Sequence, residues 1–527
     1  MHDKVLSLVK KIDRNPPMID DMIDDMIDEK GRRDLKRILL IQPNLRWIPG
    51  NFKTLWEIHP INLCLIAAMV LEQYEIKIID ANIDDLSPES LGKQIEAFMP
   101  DVAGITLLTS EYAEVAHIAA RVVKTVNTSI VTVLGGIYAT QGSKQAGEDP
   151  NIDYLVIGEG EFTFPALLAY LQGQARRPEH GLGYWENGKR VLQSMPPFIA
   201  DLDALPMPAY HLIDYARYTT VLQRIGVDSP RQIPYSRLIT SRGCGIGCTF
   251  CEIESITGKA FRARSVENVI KEMEYLKEHY KINFIIFDDD NLYISRSRTK
   301  ALCRAMIDKK LNLQWNAIAV PVFYLSDEIL ELMRESGCQY VDMAIESGVE
   351  RVLKEIVHKP VNLSYARAMV NKAKSLGMDV NAHFIIGFPG ETWDEIRATI
   401  RFAEEIDSDY TKFFIYQPLP NTPLYKKALA EGWLDPALNV VDGLNWSDSA
   451  ILSDEFTPQD LRVLRAYEWD RINFSDPKKR AKIAGMMQIS EAELNKLRRD
   501  TLASVVVVTY PAHARETPTR ALAMASL

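Results

Sequence analysis

The sequence SRGCGIGCTFCEI, residues 241–253, places Cys244, Cys248 and Cys251 in a CxxxCxxC array. Three thiolates at this spacing on a glycine-containing loop can bind three irons of one iron–sulfur cluster and leave the fourth iron without a protein ligand. Structural zinc normally takes four side chains, and no fourth cysteine or histidine lies close by in the sequence. The array therefore predicts one 4Fe-4S cluster with an open iron at which chemistry can take place.

The composition is that of a globular protein with more than one domain. The chain has 527 residues, of which 47% are hydrophobic and 25% charged, so it is too long for one ordinary core. The net charge of −10 and the lack of a basic, aromatic-interleaved run argue against a nucleic-acid-binding protein. No stretch reaches the roughly 18 apolar residues of a membrane span. Because an oxygen-sensitive cluster needs a reducing compartment, we expect a cytoplasmic protein with a small-molecule substrate.

Upstream of the cysteines, residues 36–175 alternate short β-branched runs with amphipathic segments. The apolar runs lie in KRILLIQP, IKIIDA, DVAGITLL, SIVTVLGG and DYLVIGEGE. Five buried strands separated by helices predict an α/β domain with a doubly wound parallel sheet of the flavodoxin-like (Rossmann-like) kind. Ligands bind such sheets beyond the carboxyl ends of the strands. Those ends carry the segments 42–44, 106–110, 135–138 and 158–161.

A second βα series begins near Arg237 and predicts a partial (β/α)6 TIM-like barrel. The active site of such a barrel lies at the carboxyl ends of the strands, where the cysteine loop, Asp288–Asp290, Glu346 and Gly387 would meet. Helical patterns after residue 430 predict a small helical C-terminal domain. The predicted divisions are a helical extension (1–35), the first α/β domain (36–175), a proline-rich linker (176–234), the barrel (235–430) and the helical domain with its tail (431–527).

The cysteine array, with Phe250 directly before the third cysteine, resembles the signature of the radical S-adenosylmethionine (SAM) enzymes. In that family the open iron chelates SAM, and the reduced cluster cleaves SAM to a 5′-deoxyadenosyl radical. The segments AIESG, residues 344–348, and HFIIGFPGE, residues 383–391, are similar to strand ends that contact SAM in the family. The resemblance implies SAM contacts from Phe250, Glu346, Ser347, Ile385 and Gly387.

Three neighbouring features leave alternatives open. Asp288–Asp290 stands where the family usually has Gly-Gly-Glu, and either a helix cap or a contact to SAM fits one of these aspartates. Arg351 and His358-Lys359, after AIESG, either belong to a solvated helix face or reach an anion of SAM or substrate. Cys338 is either a buried thiol or a thiol that faces the substrate.

The first domain resembles the cobalamin-binding domain of cobalamin-dependent radical SAM enzymes, because Thr106-Leu107-Leu108, GGIYAT and DYLVIGEGE follow in this order upstream of the cysteines. The Asp-x-His-x-x-Gly element that supplies a cobalt-ligating histidine in other cobalamin domains is missing after the first strand, and Tyr138 stands where GGxHxT segments often have histidine. The resemblance therefore implies cobalamin with its own base displaced and no histidine ligand. The implied cobalamin contacts are Thr106, Leu108, Thr109, Gly135, Gly136, Tyr138, Gly158, Glu159, Gly160 and Glu161.

The resemblance implies a methyltransferase that acts on an unactivated carbon, or on a phosphinate, of a small molecule. A radical generator beside a methyl carrier is useful where a strong C–H bond must first be broken, whereas a nucleophilic acceptor needs no radical. An electron donor such as flavodoxin or ferredoxin is implied as a partner. Two alternatives are a radical oxidation or ring closure of the magnesium-protoporphyrin ester cyclase type, and a non-catalytic cobalamin-binding sensor.

Overall fold

The computed structural model of the protein describes residues 33–48, 57–220, 233–437 and 448–505. The helical extension predicted for residues 1–35 lies almost entirely outside these ranges, as does the C-terminal tail after Pro511. Within these four segments, no helix is both long and apolar enough to cross a membrane.

The first sheet confirms the predicted doubly wound fold. Its strands are β1 (Arg37–Gln42), β2 (Glu75–Asp80), β3 (Val102–Leu107), β4 (Val131–Gly136), β5 (Tyr154–Val156), β6 (Leu182–Glu186) and β7 (Lys189–Leu192). They lie in the order 2-1-3-4-5-6-7, and β1 to β5 are parallel. The first five strands follow the flavodoxin-like order, in which the winding reverses between β1 and β3.

Helices cover both faces of this sheet. They are α1 (Ile61–Val70), α2 (Pro88–Phe98), α3 (Ala113–Val126), α4 (Ile137–Gln141), α5 (Ser143–Gly147) and α6 (Gly160–Leu171). On β1, Leu39 and Ile41 pack on the side of α2 and α3, whereas Ile38 and Leu40 pack on the side of α1 and α6. The strands are continuous apolar runs in the sequence because both faces of each strand are buried.

The segment 176–234, predicted as a linker, contributes two strands to the first sheet. β6 pairs antiparallel with β5, and β7 pairs antiparallel with β6. Asn187 and Gly188 turn the chain between them with φ of +50° and +72°, which is the Asn-Gly preference of a two-residue hairpin. The sequence therefore carried a hairpin signal that the prolines around it obscured. The same segment continues into α7 (Tyr215–Thr220).

The second half of the chain confirms the predicted open barrel. Its strands are β8 (Tyr235–Leu238), β9 (Ser241–Arg242), β10 (Arg262–Ala263), β11 (Phe284–Phe287), β12 (Gln314–Ala317), β13 (Tyr340–Glu346), β14 (Asp379–Ile386) and β15 (Tyr410–Ile415). β8, β11 and β12 form one parallel sheet, and β13, β14 and β15 form another. Parallel bridges from Trp315 to Cys338 and from Val320 to Met343 join the two into six successive strands. β9 and β10 form a separate short antiparallel pair beside the cysteine loop.

The barrel helices are α8 (Ile253–Ile256), α9 (Val266–Tyr280), α10 (Arg296–Asp308), α11 (Asp327–Glu335), α12 (Leu363–Ser375), α13 (Trp393–Glu405) and α14 (Pro423–Ala430). The predicted helical C-terminal region is also present, as α15 (Pro458–Phe474), α16 (Pro477–Met487) and α17 (Glu491–Ser504). α15 lies against β15, where the Asn473 side chain accepts a hydrogen bond from Thr411 N at 2.8 Å and donates one to Thr411 O at 2.9 Å. The amide of Asn473 thus continues the hydrogen bonding of the edge strand.

Candidate active site

Two aspartates after β11 hold the beginning of the cysteine loop. Asp289 accepts hydrogen bonds from Thr240 Oγ1 at 2.7 Å and from the Ser241 hydroxyl. Asp290 accepts one from Gly243 N at 2.7 Å. These carboxylates bind the loop and not a helix N-terminus, so the helix-cap alternative is wrong for both. The run of three aspartates at a strand end was visible in the sequence. The direction in which each of these side chains points was not.

Asp288 and Gly243 also shape this region. Asp288 pairs with both Nε and Nη2 of Arg237, a buried arginine on β8. Gly243 has φ of +86°, and a Cβ at this position would lie 2.1 Å from the carbonyl oxygen of Ala260. Only glycine therefore allows the chain to turn back here toward the cysteines.

The three cysteines of the array are free, half-buried thiols. Burial raises the pKa of Cys248 to about 12 and that of Cys251 to about 11. Cys251 and Cys244 raise the pKa of Cys248 further, and Cys244 raises that of Cys251. The three sulfurs are thus near enough to interact. Within the described segments, no three potential ligands converge on a single-ion site. Bound iron would take these thiols as thiolates, because metal ligation removes the thiol proton.

A buried ion pair lies beside the cysteine loop. Lys359 Nζ donates to Glu346 Oε1 at 2.6 Å and to the carbonyl oxygen of Ala344 at 2.9 Å. Lys359 is 5% exposed, so its assignment to a solvated helix face is wrong. Its charge acts to lower the pKa of Cys248, whereas Glu346 acts to raise it. Glu346 has φ of +72°, which orients the end of β13 toward the cysteines at a cost in backbone strain.

The remaining residues with an implied SAM contact differ in where they point. Ser347 is fully buried, and its Oγ lies 3.0 Å from Thr399 Oγ1 on α13. Phe250 packs on Phe388 with 5.8 Å between the ring centroids. Ile385 lies beside Phe414 in the strand register and is 7% exposed. The hydroxyl of Ser347 is thus turned toward a helix.

Glu391 stabilises the turn after β14, a role that the sequence analysis missed. Its Oε2 accepts hydrogen bonds from Gly387 N at 2.8 Å and from Phe388 N at 3.0 Å. Gly387 has φ of +78°, and a Cβ there would lie 2.4 Å from Leu461 Cδ1 of α15. Burial raises the pKa of Glu391 to about 8, against the opposing effect of these N–H groups. GFPGE is therefore a closed turn covered by the C-terminal helical region.

Glu391→Gln should make the protein more stable than wild type at alkaline pH. The Glu391 pKa is about 8 in the folded state and lies near 4.3 in an unfolded chain, so wild-type stability declines as pH rises between these values and levels off above pH 8. Glutamine keeps an oxygen acceptor for the turn and does not ionise. Thermal melts from pH 5 to pH 9 should show that the melting temperature of the variant, relative to that of wild type, increases as the pH rises. A constant difference would contradict the assignment.

Cys338 and the two other cysteines outside the array are buried. Cys338 is fully buried, and its thiol donates to the carbonyl oxygen of Tyr340 at 3.3 Å. Burial raises its pKa well above the usual range. The alternative of a substrate-facing thiol at Cys338 is therefore wrong. Cys64 and Cys303 are likewise buried.

A cavity of about 190 Å³ lies at the carboxyl ends of β3 to β5, between the sheet and helices α1 and α6. Glycines form much of its wall, so the backbone itself is exposed to a ligand, and Leu40, Ile66 and Phe164 add apolar side chains. In the part of the chain that the structure describes, no histidine is among its lining residues. A cavity with exposed backbone and apolar side chains can hold part of a large ligand, such as a nucleotide tail. The residues with an implied cobalamin contact that line it are Thr106, Gly135, Gly136, Gly158, Glu159, Gly160 and Glu161.

The other three residues with an implied cobalamin contact do not line this cavity. Tyr138 is fully buried, and its hydroxyl lies 2.9 Å from Nε2 of His117. His117 Nδ1 in turn lies 2.7 Å from Asp149 Oδ2. Thr109 begins a short 3₁₀ turn and accepts a hydrogen bond from Glu111 N at 3.4 Å, and Leu108 directly precedes it. Tyr138 therefore belongs to a buried hydrogen-bonded triad beneath α4.

Arg242 joins the cavity to the cysteine loop. It lies on β9, two residues before Cys244, and lines the cavity. Its Nη1 donates to Glu159 Oε1 at 2.9 Å, and its Nη2 donates to Glu161 Oε1 at 2.5 Å. Arg262 Nη1 donates to Glu159 Oε2 at 3.0 Å. Burial opposes ionisation of Glu159, but the two arginines hold its pKa below the usual range.

Arg242→Met should lower the free energy of unfolding by about 3–5 kcal/mol, the typical cost of removing one partner from a buried ion pair. Glu161 would lose its arginine, whereas Glu159 would keep Arg262. Arg304→Met is the matched control because Arg304 pairs with Glu328 at the surface, where such a pair contributes about 1 kcal/mol or less. Denaturant titration measures the free energy of unfolding of both variants. Equal losses of this free energy would contradict a buried ion pair between the two domains.

A second contact brings the two halves together. Gln141, at the end of α4, donates from Nε2 to Ser255 Oγ on α8 at 2.9 Å. Asn421 Nδ2 donates to Gln141 Oε1 at 2.7 Å. The helix after the GGIYAT glycines thus lies against the helix that follows Cys251. The carboxyl end of the first sheet and that of the barrel face each other.

Two family models match the chain, the B12 binding domain over residues 52–168 and the Radical SAM superfamily over residues 238–403. An uncharacterized methyltransferase of Pyrococcus horikoshii is 34% identical over 389 residues, which cover 73% of this chain and 80% of that protein. Cytidylyl-2-hydroxyethylphosphonate methyltransferase of Streptomyces wedmorensis is 31% identical over 458 residues, or 77% of this chain and 84% of that protein.

Two further proteins share the architecture. Anaerobic magnesium-protoporphyrin IX monomethyl ester cyclase of Rubrivivax gelatinosus is 27% identical over 402 residues, which cover 74% of this chain and 70% of that protein. The solved structure of the radical S-adenosylmethionine methyltransferase TsrM from Kitasatospora setae, with cobalamin and a 4Fe-4S cluster bound, has a TM-score of 0.63 and 15% identity. It covers 88% of this chain and all of that one.

The matched domains, their order and the identity to full-length relatives assign the chain to the cobalamin-dependent radical SAM methyltransferases. Its cofactors are a 4Fe-4S cluster, SAM and cobalamin.

Proposed function

We propose that this methyltransferase transfers a methyl group to an unactivated carbon, or to a phosphinate, of a small molecule. The observation that supports it most is the position of Arg242, which lines the cavity of the first domain and lies two residues from Cys244. When bound, the cluster and SAM supply a radical that removes hydrogen, and cobalamin carries the methyl group. Reacting atoms must approach to about 3–3.5 Å, so two adjacent sites serve this chemistry better than two distant ones.

We propose these roles for the residues around the two sites. Cys244, Cys248 and Cys251 bind the cluster, and Lys359, held by Glu346, presents a buried positive charge beside it. The proposed SAM contacts are Phe250, Glu346, Ser347, Ile385 and Gly387. The proposed cobalamin contacts are Thr106, Leu108, Thr109, Gly135, Gly136, Tyr138, Gly158, Glu159, Gly160 and Glu161, of which Leu108, Thr109 and Tyr138 have the weakest support because they do not line the cavity.

The proposal also covers the domain boundaries, the electron-donating partner and the cellular compartment. The cobalamin-binding domain spans residues 36–175 and the radical SAM domain residues 235–430, with the connecting segment 176–234 adding a hairpin to the first sheet. Flavodoxin or ferredoxin supplies the electron, because a cluster of this kind must be reduced at low potential. A reducing cytoplasm suits the oxygen-sensitive cluster.

Product analysis tests the proposed reaction. Cytidylyl-2-hydroxyethylphosphonate, named in the relative that is 31% identical, is the first substrate to try with reconstituted protein and reductant. We expect a product heavier by one methylene, together with both S-adenosylhomocysteine and 5′-deoxyadenosine. An oxidised or cyclised product, with 5′-deoxyadenosine but without S-adenosylhomocysteine, would favour the cyclase alternative.

Cobalamin should bind without an axial imidazole from the protein. Among the described residues no histidine lines the cavity, and His59, the first histidine after β1, stacks on the ring of Tyr218 at 4.7 Å and packs at 4.6 Å from Tyr215. Electron paramagnetic resonance of the cob(II)alamin form should show no nitrogen superhyperfine splitting. A splitting from one axial nitrogen would show this prediction to be wrong.

A further inference from the structure

The Asn291 side chain lies against the sulfur of Cys244. Its Nδ2 donates a hydrogen bond to Cys244 Sγ at 3.8 Å, and the residue is 3% exposed. Among the described residues, no other side chain donates a hydrogen bond to a sulfur of the cysteine array. Because Asn291 is almost fully buried, its N–H group has little access to water and is directed at the sulfur.

A tight turn sets the orientation of this amide. Asn291 Oδ1 accepts a hydrogen bond from Tyr293 N, two residues further along the chain, at 3.1 Å. This Asx turn fixes which end of the amide is the oxygen, so the NH2 group is the end that faces Cys244. Leu292 and Tyr293 are buried in the core of the barrel domain. The donor therefore belongs to a segment that core packing holds in place.

Asn291 is the last of three consecutive residues that contact the cysteine loop. Asp289 and Asp290 accept hydrogen bonds from residues 240–243, and Asn291 donates to the next residue, Cys244. The contacts of the two aspartates position the beginning of the loop. The contact of Asn291 instead reaches a sulfur that the array offers to iron, so it acts on a cluster ligand directly.

Two carboxylates also lie near the cysteines. Asp290 and Glu346 both act to raise the pKa of Cys251. Lys359, which acts in the opposite direction at Cys248, is itself paired with Glu346. Negative charge near a cluster opposes the addition of an electron. An amide N–H directed at a ligand sulfur has the opposite effect, because it stabilises the electron-rich form without adding a net charge.

We propose that Asn291 is a positioning residue that raises the reduction potential of the 4Fe-4S cluster through its hydrogen bond to Cys244. The proposal rests on the proposed binding of the cluster by the three cysteines, and it adds a residue that controls how readily the cluster accepts an electron. Reduction adds one negative charge, part of which resides on the thiolate sulfurs. A fixed N–H donor at one of these sulfurs therefore favours the reduced form.

Redox titration of the full-length, reconstituted protein measures this effect. Asn291→Ser shortens the side chain, so its hydroxyl still accepts from Tyr293 N but no longer reaches Cys244. Asn291→Leu keeps the volume, excludes water and removes the donor. The electron paramagnetic resonance signal of the reduced cluster is followed against the applied potential before SAM or cobalamin is added. We expect reduction to become about tenfold less favourable in both variants, which is about 59 mV for a one-electron couple, with iron and sulfide at the wild-type level.

Asn473→Ser is the matched control for the loss of a buried amide. Asn473 is 0% exposed, and its side chain is hydrogen-bonded to Thr411 on β15 and to the carbonyl oxygen of Trp469 on α15. Its replacement should lower the melting temperature, because it removes buried hydrogen bonds, and should leave the reduction potential unchanged.

The rate of SAM cleavage separates an effect on the potential from a displaced cluster. With flavodoxin as the reductant, both Asn291 variants should form 5′-deoxyadenosine more slowly than wild type, because less of the cluster is reduced. Excess titanium(III) citrate, a stronger reductant, should restore the wild-type rate. A displaced cluster would remain slow with either reductant.

Several results would overturn the proposal. They are a wild-type potential in either variant of Asn291 with a full cluster, loss of the cluster from both variants, an equal shift in Asn473→Ser, and slow cleavage that titanium(III) citrate does not restore. Absence of a cluster from wild type would overturn the proposed binding of the cluster, and this inference with it. A full cluster and SAM cleavage in wild type, with no shift in the Asn291 variants, would count against this inference alone.

Discussion

Cys248→Ala should abolish both the 4Fe-4S cluster and reductive SAM cleavage. The three cysteines are half-buried and influence one another electrostatically, so loss of one thiolate leaves two irons without a protein ligand and exposes the cluster to water. We expect iron and acid-labile sulfide far below four per chain after anaerobic reconstitution, and 5′-deoxyadenosine at the level of a no-enzyme blank. Cys244→Ala and Cys251→Ala should give the same result.

Cys303→Ala is the matched control for the cysteine variants. Cys303 is 2% exposed within the apolar core of the barrel domain, outside the cysteine loop. Its replacement removes one buried sulfur and should cost stability alone, on the order of 1–2 kcal/mol, with iron, sulfide and SAM cleavage unchanged. Full cluster content in any variant of the array, or loss of the cluster in Cys303→Ala, would contradict the ligand assignment.

Gly135→Phe should eliminate cobalamin binding while leaving the fold intact. Gly135 lines the cavity at the end of β4, and the nearest atoms to a Cβ built there, Ile105 O and Val156 Cβ, are 4.0 Å away. A phenyl ring thus fills the cavity without backbone strain. Excluding about 150 Å² of apolar ligand surface costs roughly 4 kcal/mol, so we expect cobalamin to bind at least about 100-fold more weakly by absorbance titration.

Gly485→Phe is the control for the introduced ring. Gly485 is exposed on α16, and nothing lies within 4 Å of a Cβ built there. Circular dichroism and iron content should match wild type in both variants, because neither residue touches the cysteine loop. Normal cobalamin affinity in Gly135→Phe would show that cobalamin lies outside this cavity.

The two α/β units and the cysteine loop could be predicted from the sequence because each depends on local order. Buried parallel strands require continuous apolar runs, such as RILLIQ in β1 and FIIF in β11, and amphipathic segments between them require helices. The cysteine array is a spacing within eight residues, from Cys244 to Cys251. The β6–β7 hairpin was equally local, through Asn187-Gly188, and was missed only because prolines surround it.

The direction and partner of each polar side chain could not be predicted. Glu159 and Glu161 stand in a motif that implied cobalamin contacts, yet their carboxylates bind Arg242, about 80 residues further along the chain. Tyr138 belongs to a similar motif, and its hydroxyl is turned toward His117 and away from the cavity. Residue type and spacing indicate which elements reach the strand ends, but they do not specify side-chain rotamers there.

What the sequence alone determined is therefore the set of strands, their winding and the three thiols that meet on one loop, because hydrophobic periodicity and short spacings are properties of neighbouring residues. What only the tertiary structure decided is the pairing of Lys359 with Glu346, the attachment of Asp289 and Asp290 to the cysteine loop, and the hydrogen bond from Asn381 on β14 to Asp342 on β13. Those contacts join separate strands and loops, where burial makes each polar group depend on whichever partner the packing brings within hydrogen-bond distance.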